Sequence, residues 1–139
     1  MRKILIDSDV ILDLFFDRKP FSDDAAFILG LCEQNQLTAY VTPVIISNIY
    51  YLLHKTAGHQ KVIEKLQKLL TLVDVLSMDK KVVLNALNSD FKDFEDALQN
   101  FAAENSRNID VIVTRNIKDY KKSNLGVMTP AMFIKVFDK

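Results

Sequence analysis

The chain has 139 residues, 49% of them apolar, which is enough for one domain with a sizeable core. Its 18 basic and 18 acidic side chains give a formal net charge of zero, so it is not a protein that coats nucleic acid through a global positive field. A single cysteine excludes an internal disulfide, and no apolar run approaches the roughly 18 residues needed to span a bilayer.

In chain order, Ile4, Leu5 and Ile6 form an apolar run without alternation, the pattern of a strand buried on both faces of a parallel sheet. This predicts a first strand over 3–7, with Asp7 at its carboxyl end. A short helix follows over 9–16 and is broken by Asp17-Arg18-Lys19-Pro20. Ser22 or Asp23 is expected to cap a second helix to about 34, with Cys32 on its apolar pattern as a small buried hydrophobe. A second strand is expected over 38–42. Thr42-Pro43 is a cap followed by proline at the first helical position and opens a helix to about 56. A fourth helix covers 60–70, and the pair over 43–70 reads as an antiparallel hairpin projecting from the body. A short strand over 73–76 and a helix over 80–88 come next. Asp93 caps a helix whose Phe94, Ala97, Leu98, Phe101 and Ala102 make one apolar stripe. Strands over 110–114 and 127–128 follow, and Thr129-Pro130 opens the last helix. Strands alternating with helices predict a three-layer α/β/α sandwich around a mostly parallel sheet.

Parallel sheets gather their strand ends and helix starts along one edge, where ligands bind in open α/β folds. Asp7, Asp96 and Asp119 all fall on that edge. Converging carboxylates repel each other, and a site that keeps them charged holds a cation. Oxygen ligands without paired histidines or cysteines favour Mg²⁺ or Mn²⁺ over zinc. Such an ion activates water and neutralises a phosphodiester. Each acid also has a structural alternative. Asp7-Ser8-Asp9 can cap the first helix, Asp93 and Asp96 suit a helix start, and Asp119 suits a solvated turn.

Four stretches together resemble the PIN-domain family, including the VapC-like ribonuclease toxins of toxin–antitoxin systems. They are Ile4-Leu5-Ile6-Asp7-Ser8-Asp9-Val10-Ile11-Leu12-Asp13; Thr42-Pro43-Val44-Ile45-Ile46-Ser47-Asn48-Ile49-Tyr50-Tyr51-Leu52; Asp93-Phe94-Glu95-Asp96-Ala97-Leu98-Gln99 with Ala102-Ala103; and Val113-Thr114-Arg115-Asn116-Ile117-Lys118-Asp119-Tyr120. No single stretch is specific, but the four in order are. The resemblance implies one PIN-like domain over 1–139 and a metal-dependent endoribonuclease site. Asp7 and Asp96 match the family's metal-binding acids. Asn116 and Asp119 occupy a motif where either residue type faces the metal, Thr114 matches a small hydroxyl residue before them, and Asp9 fits a supporting position. It further implies RNA as substrate, an antitoxin protein as partner and a homodimer.

The second stretch departs from the pattern, since active members usually carry glutamate where Asn48 stands. Asparagine can ligate weakly through its carbonyl but is neither charged nor a general base. The next carboxylate along the chain, Glu64, is too distant to replace it locally. Two readings follow: a nuclease with a weakened site, or a binding module that has lost catalysis.

Arg115 and Lys118 flank the fourth stretch and could contact RNA phosphates without reading sequence. Lys121-Lys122 read as solvated surface, His54 and His59 as surface residues, and Tyr50 and Tyr51 as packing residues. Phe15, Phe16 and Phe21 read as core or an interface lip. Asp7-Ser8-Asp9 also fits a phosphotransferase of the haloacid-dehalogenase type, but Ile11 stands where that family requires threonine. An N-terminus that runs straight into a strand shows no signal peptide, so the chain is expected to be soluble and cytoplasmic without membrane contact.

Overall fold

Ile4, Leu5 and Ile6 are fully buried and carry β1 (Lys3–Ile6) through the middle of a five-stranded sheet. Burying each of these side chains stabilises the fold by about 2 kcal/mol relative to leaving it exposed. The structure is a computed structural model in which residues 3–137 are described. The strand order is β3 (Asp74–Val75), β2 (Thr38–Val41), β1, β4 (Val111–Val113), β5 (Gly126–Met128), and every neighbouring pair is parallel. Parallel neighbours need crossovers, and the helices supply them. From β1 to β2 the chain runs through α1 (Ser8–Phe15) and α2 (Phe21–Glu33). From β2 to β3 it runs through α3 (Pro43–His54) and α4 (His59–Leu69). It returns across the sheet through α5 (Lys80–Leu87) and α6 (Phe94–Ser106) to β4, then through a 3₁₀ turn (Ile117–Tyr120) to β5 and α7 (Pro130–Phe137). The result is the expected α/β fold with a parallel sheet flanked by helices.

The direction of travel matters for the site. From β1 the chain steps outward to β2 and β3, then jumps back to the other side of β1 for β4 and β5. The order therefore reverses between β1 and β4, and a crevice opens there at the carboxyl ends of the strands. Asp7 and Thr114 are the first residues beyond those two ends. The register pairs Ile6 with Val113, and the Asp7 amide donates to the Val113 carbonyl at 3.0 Å, so the two positions lie side by side.

Local chemistry explains most element starts. Thr42 caps α3 by accepting from the Ile45 amide at 3.1 Å, with Pro43 as first helical residue. Asp93 caps α6 by accepting from the Asp96 amide at 3.0 Å. The expected cap of α2 is corrected: its N-cap position is Pro20, without a side-chain cap, and the buried Ser22 donates its hydroxyl to Asp17 Oδ1 at 2.8 Å. The α3–α4 pair does not project from the body, because Ile45, Ile49, Leu53, Val62 and Leu66 all join the main core cluster. Cys32 is buried as expected, which pushes its thiol up to about 11. Among the described residues no helix is long and apolar enough to cross a membrane.

Candidate active site

Asp7 fills two of the roles its position allows. Its Oδ1 accepts from the Ser8 amide at 2.8 Å and caps α1. Its Oδ2 accepts from Tyr120 Oη at 3.2 Å and faces Thr114 Oγ1 at 3.0 Å. Burial is the main reason its carboxyl sits above the usual carboxylate range, and the charge of Asp119 adds to the shift against these hydrogen bonds. Tyr120 is 1% exposed, and burial first, then the charges of Asp7 and Asp96, keep its hydroxyl protonated as a donor.

Asp9 lies one step further on. Its Oδ2 accepts from the Arg115 amide at 3.2 Å and from Asn116 Nδ2 at 3.1 Å, with Thr114 Oγ1 at 3.4 Å. Thr114 has one hydroxyl proton for two carboxylates, and the shorter contact assigns it to Asp7. The other oxygen, Asp9 Oδ1, is buried without a partner. Burial and the neighbouring charge of Asp7 push the Asp9 carboxyl up to about 6, against the Arg115 amide bond.

The remaining acids come from the other side of the crevice. Asp96 stands in the first turn of α6 and Asp119 in the 3₁₀ turn. Burial, then the charges of Asp7, Asp93, Asp119 and Glu95, push Asp96 up to about 7. The mutual charge effects among Asp7, Asp9, Asp96 and Asp119 show that residues separated by up to 112 positions now share one field.

Asn48 sits on the face of α3 that meets α6. Its Nδ2 donates to Glu95 Oε1 at 2.9 Å. One turn deeper, the buried Thr42 hydroxyl donates to Gln99 Oε1 and ties the same two helices together. A carboxylate therefore stands beside Asn48 after all, delivered by the neighbouring helix. The sequence offers Glu64 as the next carboxylate along the chain, on α4, and gives no direct sign of Glu95 on α6. The available signal was that Glu95 directly precedes a candidate site acid.

Arg115 faces away from the crevice. Its Nε and Nη2 donate to Asp13 Oδ2 and Oδ1 at 2.7 and 3.0 Å, and its guanidinium lies 4.1 Å from the centre of the Phe21 ring. Asp13 is 1% exposed and also meets Arg18 at 3.4 Å. This two-arginine clamp on a buried carboxylate was not foreseen, although Asp13 is one helical turn from Asp9 on a helix that is otherwise apolar there. Its effect is to hold the 114–116 loop, whose amides and side chains in turn hold Asp9. Lys118, by contrast, is exposed beside Asp119.

Every donor here is a carboxylate, amide or hydroxyl oxygen, a set suited to a hard cation. Asp9 Oδ1 gives that set an uncommitted buried acceptor. Among the described residues no three His, Cys, Asp or Glu side chains close into an ion cage. The arrangement suits Mg²⁺ or Mn²⁺, which keep several waters and use few protein ligands.

A model of the PIN domain matches residues 3–118, and the chain belongs to that family. Among curated proteins it is similar to Ribonuclease VapC1 of Aquifex aeolicus, at 22% identity over 136 residues, covering 94% of this chain and 92% of that protein. Among solved structures, a toxin–antitoxin complex from Klebsiella pneumoniae contains a chain that matches at a TM-score of 0.69 and 21% identity, covering 91% of this chain and 97% of that one. The DNA-bound VapBC of Salmonella typhimurium matches at a TM-score of 0.69 and 14% identity, over 94% of this chain and 99% of that one. At these identities the solved structures speak to the fold.

Proposed function

We propose that the chain is a divalent-metal-dependent endoribonuclease of the PIN type and the toxin half of a toxin–antitoxin pair. The observation that carries this reading is that Asp7 feels the charge of Asp119, and Asp96 the charges of Asp7 and Asp119, at the edge where the strand order reverses, in a chain of this family. The named activity of the VapC1 relative, which the chain matches almost end to end, supports the reaction, and the toxin–antitoxin neighbours support an antitoxin partner. A homodimer and a single domain over 1–139 belong to the same proposal.

Asp7, Asp96 and Asp119 would hold Mg²⁺ or Mn²⁺. The ion, when bound, supplies charge neutralisation at a phosphodiester and a more acidic water. Asp7 is oriented for this by Tyr120, Thr114 and the Ser8 amide. Asp9 and Asn116 shape the neighbouring wall. Glu95 takes the role that Asn48 cannot fill, and Asn48 orients it through its amide.

The test is titration of Mn²⁺ and Mg²⁺ into metal-stripped protein by calorimetry, paired with cleavage of RNA. Saturable binding, lost in Asp7→Ala and Asp96→Ala, with cleavage that disappears in the same variants, is expected. The rival is a module that keeps the acids but does not cleave, favoured by the neutral Asn48. Metal binding without cleavage of any RNA would establish it.

A further inference from the structure

Beside Asp96 and Asp119 lies an open cleft of about 280 Å³. Two segments line it: the approach to α6, with Lys92, and the 3₁₀ turn with the residues after it, which bring Lys118, Lys121 and Lys122. Phe91 lines it too, with its ring packed edge-on against Phe101 at 5.9 Å and Tyr120 at 6.3 Å. Since Tyr120 also holds Asp7, the cleft wall and the deepest acid share one support.

The four lysines are exposed, and among the described residues none of their ammonium groups lies within 4 Å of a carboxylate. Asp90 and Asp93 line the same cleft without an ion pair to these lysines. The contrast is with Arg18, Lys19 and Arg115 around α1 and α2, which are all committed to Asp13, Asp17 or Asp23. Unpaired ammonium groups along a cleft that opens onto the acids are suited to phosphates, which need cations but no particular base. With Asp96 and Asp119 engaged by a divalent ion, positive charge exceeds negative along the remaining wall.

We propose that this cleft carries the backbone of single-stranded RNA flanking the cleaved phosphate, with Lys92, Lys118, Lys121 and Lys122 as its phosphate contacts. The proposal rests on the nuclease reading of the acids. It assigns Lys121 and Lys122, which read as solvated surface in the sequence, to substrate binding.

The test uses the full wild-type chain at a fixed Mg²⁺ concentration and the anisotropy of a labelled single strand of about 12 nucleotides with cleavage-resistant linkages over about 50–200 mM salt. Replacing Lys121 and Lys122 together by alanine is expected to flatten the slope of log affinity against log salt by about 1.4, or about 0.7 for each lost phosphate contact. Replacing both by arginine should keep the slope. Replacing Lys61 and Lys68 of α4, which are away from the cleft, should leave it unchanged. An unchanged slope in the Lys121/Lys122 alanine variant, or an equal change in the α4 variant, overturns the cleft assignment. If the wild-type chain still cleaves RNA in that case, the nuclease reading stands. If the wild-type chain neither binds nor cleaves RNA, both fall together.

Discussion

The two walls of the acidic crevice are built in opposite ways. The wall at the ends of β1 and β4 is finished by the protein: Thr114 is fully buried and Tyr120 nearly so, and Asp7 and Asp9 receive hydrogen bonds from several groups each. The wall from α6 and the 3₁₀ turn is unfinished. Glu95 and Asp119 are exposed, the cleft lysines make no ion pair among the described residues, and an exposed side-chain tie from this wall to α3 is the Asn48–Glu95 bond. Positions that must be fixed before the ligand arrives are held by the fold, and those that must adapt to it are left in water. The buried wall is therefore where substitutions that break its packing or its ion pairs should cost stability as well as activity, where removal of a charge that burial disfavours should cost activity alone, and the open wall is where substitutions should change binding alone.

The largest effect expected on this contrast is from Asp7→Asn. It keeps the shape and removes the charge at the centre of the finished wall. Cleavage should fall by about 10³-fold or more, as expected when several kcal/mol of charge stabilisation is lost. The thermal midpoint should hold or rise, because the charge it removes is one that burial disfavours. Single-turnover cleavage and a thermal melt on one preparation check both halves, and a large drop in the midpoint would show that Asp7 is mainly structural. Next comes Arg115→Ala, which strands the buried Asp13 carboxylate with only Arg18 at 3.4 Å. A loss of about 3 kcal/mol in urea unfolding is expected, together with weaker cleavage as the 114–116 loop loosens. Arg115→Lys should recover only part, since lysine cannot make the paired contact to both Asp13 oxygens.

How much of this was readable in advance follows the same division. Thr42-Pro43, Thr129-Pro130 and Asp93 announced helix starts because capping is settled within three or four residues. Asp7 on the ligand edge followed from one apolar run and the geometry of parallel sheets. Asp13, Tyr120 and Glu95 could not be assigned that way. Asp13 meets Arg115 across 102 positions, Tyr120 meets Asp7 across 113, and Glu95 meets Asn48 across 47. Such pairings depend on how helices settle against one another, which local periodicity does not encode. The resemblance carried the four stretches in order, three of them with acids, but it directed attention to an absent glutamate on α3 and not to the carboxylate that α6 brings beside it.

That carboxylate gives the next prediction, on the open wall. Glu95→Gln should weaken Mn²⁺ binding by about 10-fold, the loss typical when a group supporting a metal site is removed. The midpoint should stay put, since Glu95 is exposed. Asn48→Ala, which removes only the group orienting Glu95, should have a smaller effect in the same direction. Calorimetry on the three proteins decides it, and equal affinity in Glu95→Gln and wild type would leave Glu95 as a surface residue.

The smallest effect is on pH, and it tests both walls at once. Asp9 and Asp96 are pushed up to about 6 and about 7 from 3.8, chiefly by burial and by neighbouring carboxylates. A carboxyl raised in the folded state favours folding while it is protonated. That contribution is complete below the unfolded value of 3.8 and is lost as pH rises toward about 7. The metal-free protein should therefore melt lower at pH 8 than at pH 5, by a few degrees for about 1 kcal/mol in a domain of this size. Mn²⁺ competes with these protons, so it should raise the midpoint much more at pH 8 than at pH 5. Asp96→Asn should flatten both trends. A metal-free midpoint that rises steadily from pH 5 to 8 would mean that the acids are relieved by cations already within the fold, and the nearest candidates would be the lysines of the cleft.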